Sequence, residues 1–308
     1  MVSHIARAQG FPGRTVTIVV PYPAGGPVDA VARLLVPGMT GDLGQTVVVD
    51  NRGGGSGAIG SMAVMRAEPD GHTLVLGTNQ THATNQSLIK SATYDAAKDF
   101  TPVAGIADIP HVLVVRRELP ADNINALVAL AKSKPGDLTY GSTGNGSASH
   151  LAAELFKTRA GVDLLHVPFR GAAPMTTELL AGRVDVSFAT LPSVVSYIDA
   201  GVLRALAVAS PRRAARLPNV PTLAEAGIAG VEADAWFALF APAKTPAPAI
   251  DRLHRAVAVA LGSAAVREAI AKQGMTLNVR APAAVAAWLP GEVQKWAGVI
   301  KTAGVVVE

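Results

Sequence analysis

Pro21-Tyr22-Pro23-Ala24-Gly25-Gly26-Pro27-Val28-Asp29 is the stretch on which the fold turns. The run before it, Val16–Val20, is wholly β-branched and reads as a buried strand. After it, Val28, Val31, Ala32, Leu34 and Leu35 fall on one face of a helix. Three prolines and two glycines fill the gap between strand and helix. Proline removes donors and fixes φ; glycine lets the backbone turn sharply and approach a ligand. The pattern predicts a stiff, nearly side-chain-free loop that aims peptide N–H groups from a helix N-terminus. Unpaired donors and the helix dipole favour an anion there.

The same grammar recurs downstream. Leu138-Thr139-Tyr140 reads as a short strand. Gly141-Ser142-Thr143-Gly144-Asn145-Gly146-Ser147 follows, and then a helix with Leu151, Leu155 and Phe156 on one face. Three hydroxyls and an amide accompany the glycines and can donate to an oxygen-rich ligand. Two such loops, far apart in the chain, predict two lobes gripping one ligand.

Length and composition agree. The 308 residues correspond to about two domains. A hydrophobic share of 49% against 16% charged supports substantial cores and excludes disorder. No apolar run reaches the ~18 residues of a membrane span. The net charge of +4 is spread along the chain, which argues against nucleic acid. With no cysteine there is no disulfide, thiolate zinc site or cysteine nucleophile. Residues 1–10 lack a full apolar signal core. Ala6-Arg7-Ala8-Gln9 reads either as the remnant of a leader or as an unstructured start.

Further strands are expected at 46–49, 73–76, 111–115, 164–167, 184–188, 205–209 and 235–240, most of them separated by helices. That alternation indicates α/β architecture with mainly parallel sheets. Residues 78–86 read as a polar loop at a strand's carboxyl end, where open α/β sheets bind ligands. From Pro246 onward the pattern is helical throughout, and this tail is expected to return to the first lobe. The expected lobes are 12–110 plus 236–308, and 111–235.

Several motifs have rival readings. Gly55-Ser56-Gly57-Ala58-Ile59-Gly60 matches the dinucleotide pattern, but the next strand ends Leu76-Gly77-Thr78-Asn79 without the acid that the ribose requires. No cofactor is therefore expected. Ser142, Thr143, Ser147 and His150 invite a hydrolase, yet the nucleophile elbow is missing, and serine at a helix start is a natural cap. No two of the seven histidines have H-x-x-x-H spacing, so no metal is expected. His82 is either a ligand contact or a surface-loop histidine. Asp29 is read as stabilising a helix start or a water, and Asp185 as anchoring neighbouring N–H groups; neither is read as a nucleophile.

Taken together, the blocks resemble the Bug-type solute receptors of tripartite tricarboxylate transporters. The resemblance runs from Phe11 to the C-terminus. It rests on Pro21-Tyr22-Pro23-Ala24-Gly25-Gly26 with Asp29, Asp70-Gly71-His72-Thr73-Leu74, Tyr94-Asp95 with Asp99-Phe100, and Gly141-Ser142-Thr143-Gly144 with Gly146-Ser147 and His150-Leu151-Ala152. It continues through His166-Val167-Pro168-Phe169-Arg170-Gly171, Gly182-Arg183-Val184-Asp185, Leu217-Pro218-Asn219-Val220-Pro221-Thr222 and Trp236-Phe237. The family implies a two-lobed periplasmic binding protein of type II, without catalysis, that captures small carboxylates in an interdomain cleft with the help of ordered waters. It normally begins with a secretory signal, which the sequence as given does not show.

The expected ligand contacts are Tyr22, Ala24, Gly25, Gly26, Asp29, Thr78, Asn79, His82, Ser142, Thr143, Gly144, Gly146, Ser147, Phe169, Asp185 and Phe188. Tyr22, Phe169 and Phe188 would supply apolar walls, and 79–86 would select the ligand. The expected partners are a small organic acid and either membrane transporter subunits or a sensor, with the protein itself a monomer. The rival class is an α/β enzyme, either a dinucleotide oxidoreductase or a hydrolase.

Overall fold

The computed structural model describes residues 10–305; the 6–9 stretch and His4 lie outside the described residues. The chain enters as β1 (Val16–Val20), α1 (Pro27–Leu43) and β2 (Val47–Asn51). Next come a 3-10 turn (Gly55–Gly57), α2 (Ala58–Met65) and β3 (Thr73–Thr78). A π-helical turn (Gln80–Thr84) runs into α3 (Asn85–Leu88), and then comes the long β4 (Phe100–Ile109). The 78–86 stretch, expected as an open loop, is thus mostly helical. Pro110 alone separates β4 from β5 (His111–Arg116).

From there the chain builds a second sheet. It runs α4 (Ile124–Ser133), β6 (Thr139–Ser142), α5 (Ala148–Ala160), β7 (Leu165–Pro168), α6 (Ala172–Leu180), β8 (Val186–Thr190), α7 (Leu191–Asp199) and β9 (Leu203–Val208). After a long irregular connection, β10 (Ala235–Pro242) returns to the first sheet. It is followed by α8 (Ala247–Gly262), α9 (Ala264–Lys272), β11 (Thr276–Leu277) and α10 (Pro282–Ala303). The tail is therefore not purely helical, because β11 adds an edge strand beside β4.

The sheets have orders β11-β4-β10-β3-β1-β2 and β7-β6-β8-β5-β9. Without β11 the two orders correspond strand for strand. In each, three parallel strands carry the βα loops, and an antiparallel strand arrives from the other sheet. β10 lies antiparallel to β3 and β4, and β5 antiparallel to β8 and β9. The chain thus crosses between lobes at Pro110 and again just before Ala235. At this double crossing His111 Nδ1–H donates to the Ala233 carbonyl at 2.7 Å.

Sequence explains the packing of the first lobe. Ile18 on β1 pairs with Val49 and Leu74, and Val16, Ile18, Val19 and Val20 are all buried, so β1 is apolar on both faces, as a covered parallel strand must be. α1 begins with Pro27 and ends where Gly44 turns left-handed and its N–H reaches the Thr40 carbonyl. Its middle lies directly on α8: a Cβ added at Gly38 would stand 2.6 Å from Ala260 Cα. Gly60 has a similar role on α2, where a Cβ would meet Arg52 O at 2.7 Å and Pro21 Cα at 2.9 Å. That glycine of the G-x-G-x-x-G match therefore serves backbone packing. α10 lies along β4 and the π-helical turn and also reaches α5 of the second lobe.

Candidate functional site

The β1–α1 loop is held from within. Asp29 Oδ2 accepts from Gly25 N–H and from Arg33 Nε, both at 3.0 Å, and Oδ1 accepts from Asn51 Nδ2 at 3.0 Å. The Arg33 hydrogen bond, with those from Gly25 and Asn51, holds the Asp29 carboxyl below its usual range despite its burial. Asp29 thus shapes the helix start. Gly25 spends its N–H on that carboxylate. Among the following residues Pro27 has no N–H, while Gly26, Val28 and Asp29 bring theirs to the unpaired first turn of α1.

That turn opens on a cavity of about 340 Å³ between the lobes. Gly25 and Gly26 of the β1–α1 loop and Pro27 and Ala30 of α1 line it, with Gln273 from the end of α9. The opposite wall belongs to the second lobe: Ala172, Ala173, Thr176 and Thr177 on α6, and Pro192, Ser193 and Tyr197 on α7. Among the described residues no charged side chain lines it. The N-termini of α1 and α6 face it from the two lobes, and neither has a side-chain cap.

The second glycine-rich loop is built differently from the expectation. Thr143 N–H donates to Ser149 Oγ at 2.9 Å, Gly144 N–H to Ser142 Oγ at 3.2 Å, and Gly146 N–H to His150 Nδ1 at 3.0 Å. Ser147 N–H bonds the Gly144 carbonyl, and Ser147 Oγ caps α5 by accepting from His150 N–H. The donors of Thr143, Gly144, Gly146 and Ser147 are turned inward, and none of Ser142, Thr143, Gly144, Gly146 or Ser147 borders the cavity. The loop does touch the first lobe, where Thr84 Oγ1 donates to the Gly146 carbonyl at 3.4 Å.

Of the remaining expected contacts, Tyr22 joins two strand ends. Its hydroxyl lies 2.9 Å from Thr78 Oγ1 and donates to Gln80 Oε1 at 3.0 Å. Burial raises its pKa. Ala24 is exposed beside the cleft, and Phe169 is half-buried. Asn79 is buried and its Nδ2 has no partner. His82 is not a surface residue and does not line the cavity. It is fully buried, stacked on Phe240 at 4.1 Å, with Nδ1 2.9 Å from Thr81 Oγ1, and burial pushes its pKa down to about 3.

Phe188 is no cleft wall either: it is buried against Phe156 in the second core. Asp185 lies at the wrong end of its strand. It accepts from Arg116 Nε at 2.8 Å and from Thr139 N–H at 2.9 Å, level with the start of β6, whereas the cleft loops leave the carboxyl ends. Anchoring neighbouring N–H groups is what its carboxylate does.

Ser142 and His166 form the kind of pair a hydrolase uses, with Oγ 2.7 Å from Nε2. Yet Ser142 is fully buried, and His166 is stacked between Tyr140 at 4.7 Å and His150 at 3.9 Å. Burial, with a smaller effect of His150, pushes the His166 pKa down to about 4. The stack braces the strand ends and offers no exposed nucleophile.

Sequence reading missed Ala172, Ala173, Thr176, Ser193 and Gln273. A signal existed for the first two. Gly171-Ala172-Ala173-Pro174 repeats, after a strand, the glycine-then-proline helix start of Gly26-Pro27. No local signal places Gln273 beside a loop almost the whole chain away.

Two mixed sheets of matching order, joined by a double crossing and enclosing a cavity lined by helix N-termini, define a two-lobed α/β solute-binding protein. The pattern of the tripartite tricarboxylate transporter family receptor matches residues 31–305. The chain belongs to that receptor family. It is 38% identical over 298 residues to Protein BugT of Bordetella pertussis, covering 96% of this chain and 91% of that one. The solved structure of R. palustris Rpa4515 with adipate superposes with a TM-score of 0.90 at 38% identity, over 96% of this chain and 99% of that one. The periplasmic binding protein BugD superposes at 0.88 with 35% identity, over 97% of this chain and 100% of BugD. The family is described as that of a transporter's receptor, and this chain is a receptor rather than an enzyme.

Proposed function

We propose that this receptor closes over one small organic acid and holds its carboxylate between the N-termini of α1 and α6. One observation carries the reading: two uncapped helix starts from different lobes face the same cavity of about 340 Å³, and no charged side chain among the described residues lines it. Free N–H groups and aligned peptide dipoles substitute for a cation. The bound adipate of the relative Rpa4515 supports a carboxylate ligand.

On this reading Gly26 and Val28 donate from the first lobe and Ala172 and Ala173 from the second. Gly25, Ala24 and Tyr22 shape the near wall, with Thr78 and Asn79 behind it and Phe169 at the edge. The lobes are 12–110 plus 236–308, and 111–235. The family description supports delivery to the membrane subunits of a tripartite transporter, and the likeness to BugD supports a periplasmic site of action. The protein works as a monomer.

Native mass spectrometry of the purified protein tests this by identifying a co-purified acid. Calorimetry with that acid and its primary amide then isolates the carboxylate. The amide puts a donor where the site offers donors. A hydrogen bond to a charged group contributes roughly 1.5–3 kcal/mol, so the loss should reach about two decades in affinity. Equal affinity of acid and amide would refute the reading.

A further inference from the structure

The far wall of the cavity holds one polar group whose bonding is incomplete. Thr177 Oγ1 donates back to the Ala173 carbonyl at 3.0 Å, as threonine on a helix commonly does. Ser193 Oγ donates to the Thr190 carbonyl at 2.7 Å. Thr176, which lines the same wall, is only 5% exposed, and its Oγ1 has no partner among the described residues. Buried hydroxyls without a partner are destabilising and uncommon in native proteins. Helical threonine populates two χ1 rotamers, so this hydroxyl can turn to meet a group in the cavity that Thr176 lines.

The surroundings fix what that group is. Thr176 follows Ala172 by four residues, so it stands one turn along the same face, its Cβ about 5–6 Å from that of Ala172, whose N–H is assigned above to the carboxylate. The α7 N-terminus beside it is a poor anion site. Leu191 N–H is spent on the Pro110 carbonyl at 2.9 Å, and Pro192 has none. Ser193 N–H, the Thr176 hydroxyl and the Gln273 amide from the opposite lobe remain, all uncharged. A second carboxylate would lose its hydration here without a countercharge. A neutral hydroxyl or carbonyl would be matched.

Resting on the carboxylate reading, we propose that Thr176 is a specificity residue. It selects acids that carry a neutral oxygen group about three or four carbons from the carboxylate, over dicarboxylates of that length. Calorimetry on the full protein with butyrate, 4-hydroxybutyrate, succinate and butyramide tests this, using wild type, Thr176→Val and Thr176→Ser.

Wild type should bind 4-hydroxybutyrate roughly five- to tenfold more tightly than butyrate, and succinate no more tightly than butyrate. Thr176→Val should erase the hydroxyl gain, bringing 4-hydroxybutyrate to the affinity of butyrate, and Thr176→Ser should keep the gain. The inference fails if wild type does not distinguish the hydroxy acid, if succinate binds best, if Thr176→Val weakens all the acids alike, or if none of them binds. Butyramide binding as well as butyrate would bring down the carboxylate reading itself, and this inference with it.

Discussion

Gly25 and Asp29 are tied across the head of α1, the peptide N–H of one donating to the carboxylate of the other at 3.0 Å. The bond closes a loop that contains no other acid and whose free donors face the cleft. Arg33 neutralises the carboxylate from the solvent side, so a ligand anion meets helix donors rather than a bare negative charge. Asp29→Asn keeps the size but cannot accept from Gly25, Arg33 and Asn51 together. The variant should lose about 1–3 kcal/mol of stability by urea unfolding at neutral pH and bind the co-purified acid more weakly. An unchanged midpoint and affinity would show that the loop does not depend on this carboxylate.

Gly38 and Ala260 set the spacing of α1 on α8. The Cβ of a Gly38→Ala variant would lie 2.6 Å from Ala260 Cα and 2.7 Å from its Cβ, so one helix must move. Overpacking costs about 1–3 kcal/mol, against the ~1 kcal/mol that alanine gains over glycine in a helix. The net change should be destabilising. Ala260→Gly should restore only part of it, because the Cα clash persists. A thermal melt of Gly38→Ala at or above wild type would contradict the close contact.

The double crossing carries a pH dependence. His111 is buried with its Nδ1–H on the Ala233 carbonyl, and burial pushes its pKa down to about 4; His82 falls to about 3 for the same reason. Unfolded, both titrate near 6.5. Between pH 6.5 and 4 the unfolded chain therefore binds more protons, and stability falls as pH falls. Asp234 opposes this. Burial raises its pKa to about 6, so between pH 4 and 6 the folded state holds a proton that the unfolded state has lost. His166, also pushed down to about 4, acts with His111 and His82; three histidines outweigh one carboxyl, and the net effect is acid destabilisation on the order of 3–5 kcal/mol between pH 7 and 4.5. Urea midpoints across that range measure it; a midpoint that rises on acidification would place the dominant group at Asp234.

How far the sequence carries can be seen element by element. β1 and α1 were legible because their signals are local: a β-branched run, then Gly26-Pro27 and an apolar stripe. β4 was not, since Pro102 and Gly105 interrupt a strand that only its partners complete, with register shifts against β10 beside Ala238 and Phe240. His82 sits among threonines and reads as a polar loop. The hydroxyls of Thr78, Thr81 and Thr84 bond backbone groups of this segment, around a π-helical turn, and the imidazole packs on Phe240. For 142–147 the composition predicts donors for a ligand, and in the structure the N–H groups of Thr143, Gly144 and Gly146 are taken up within the loop. Serines that can donate to a ligand can equally accept from their own loop, and here they do.

Gly274 and Leu191 bring the lobes together next to the cavity. A Cβ at Gly274 would stand 2.5 Å from Leu191 Cδ2, and Gly274 has φ +73°. Its neighbour Gln273 lines the cavity, while Leu191 begins α7 behind Pro192 and Ser193. Gly274→Ala therefore has two effects that can be separated. The left-handed backbone costs about 1–2 kcal/mol in any background. The steric effect depends on Leu191 and pushes α7 away from Gln273, which widens the cavity. The variant should lower both the melting temperature and the affinity for the co-purified acid. Adding Leu191→Ala should recover affinity but not the backbone cost, although that truncation itself removes a buried side chain. The double-mutant cycle read in binding should show a coupling of at least ~0.5 kcal/mol, as expected for residues in contact. Additive effects on affinity would mean that this contact does not set the distance between the cavity walls.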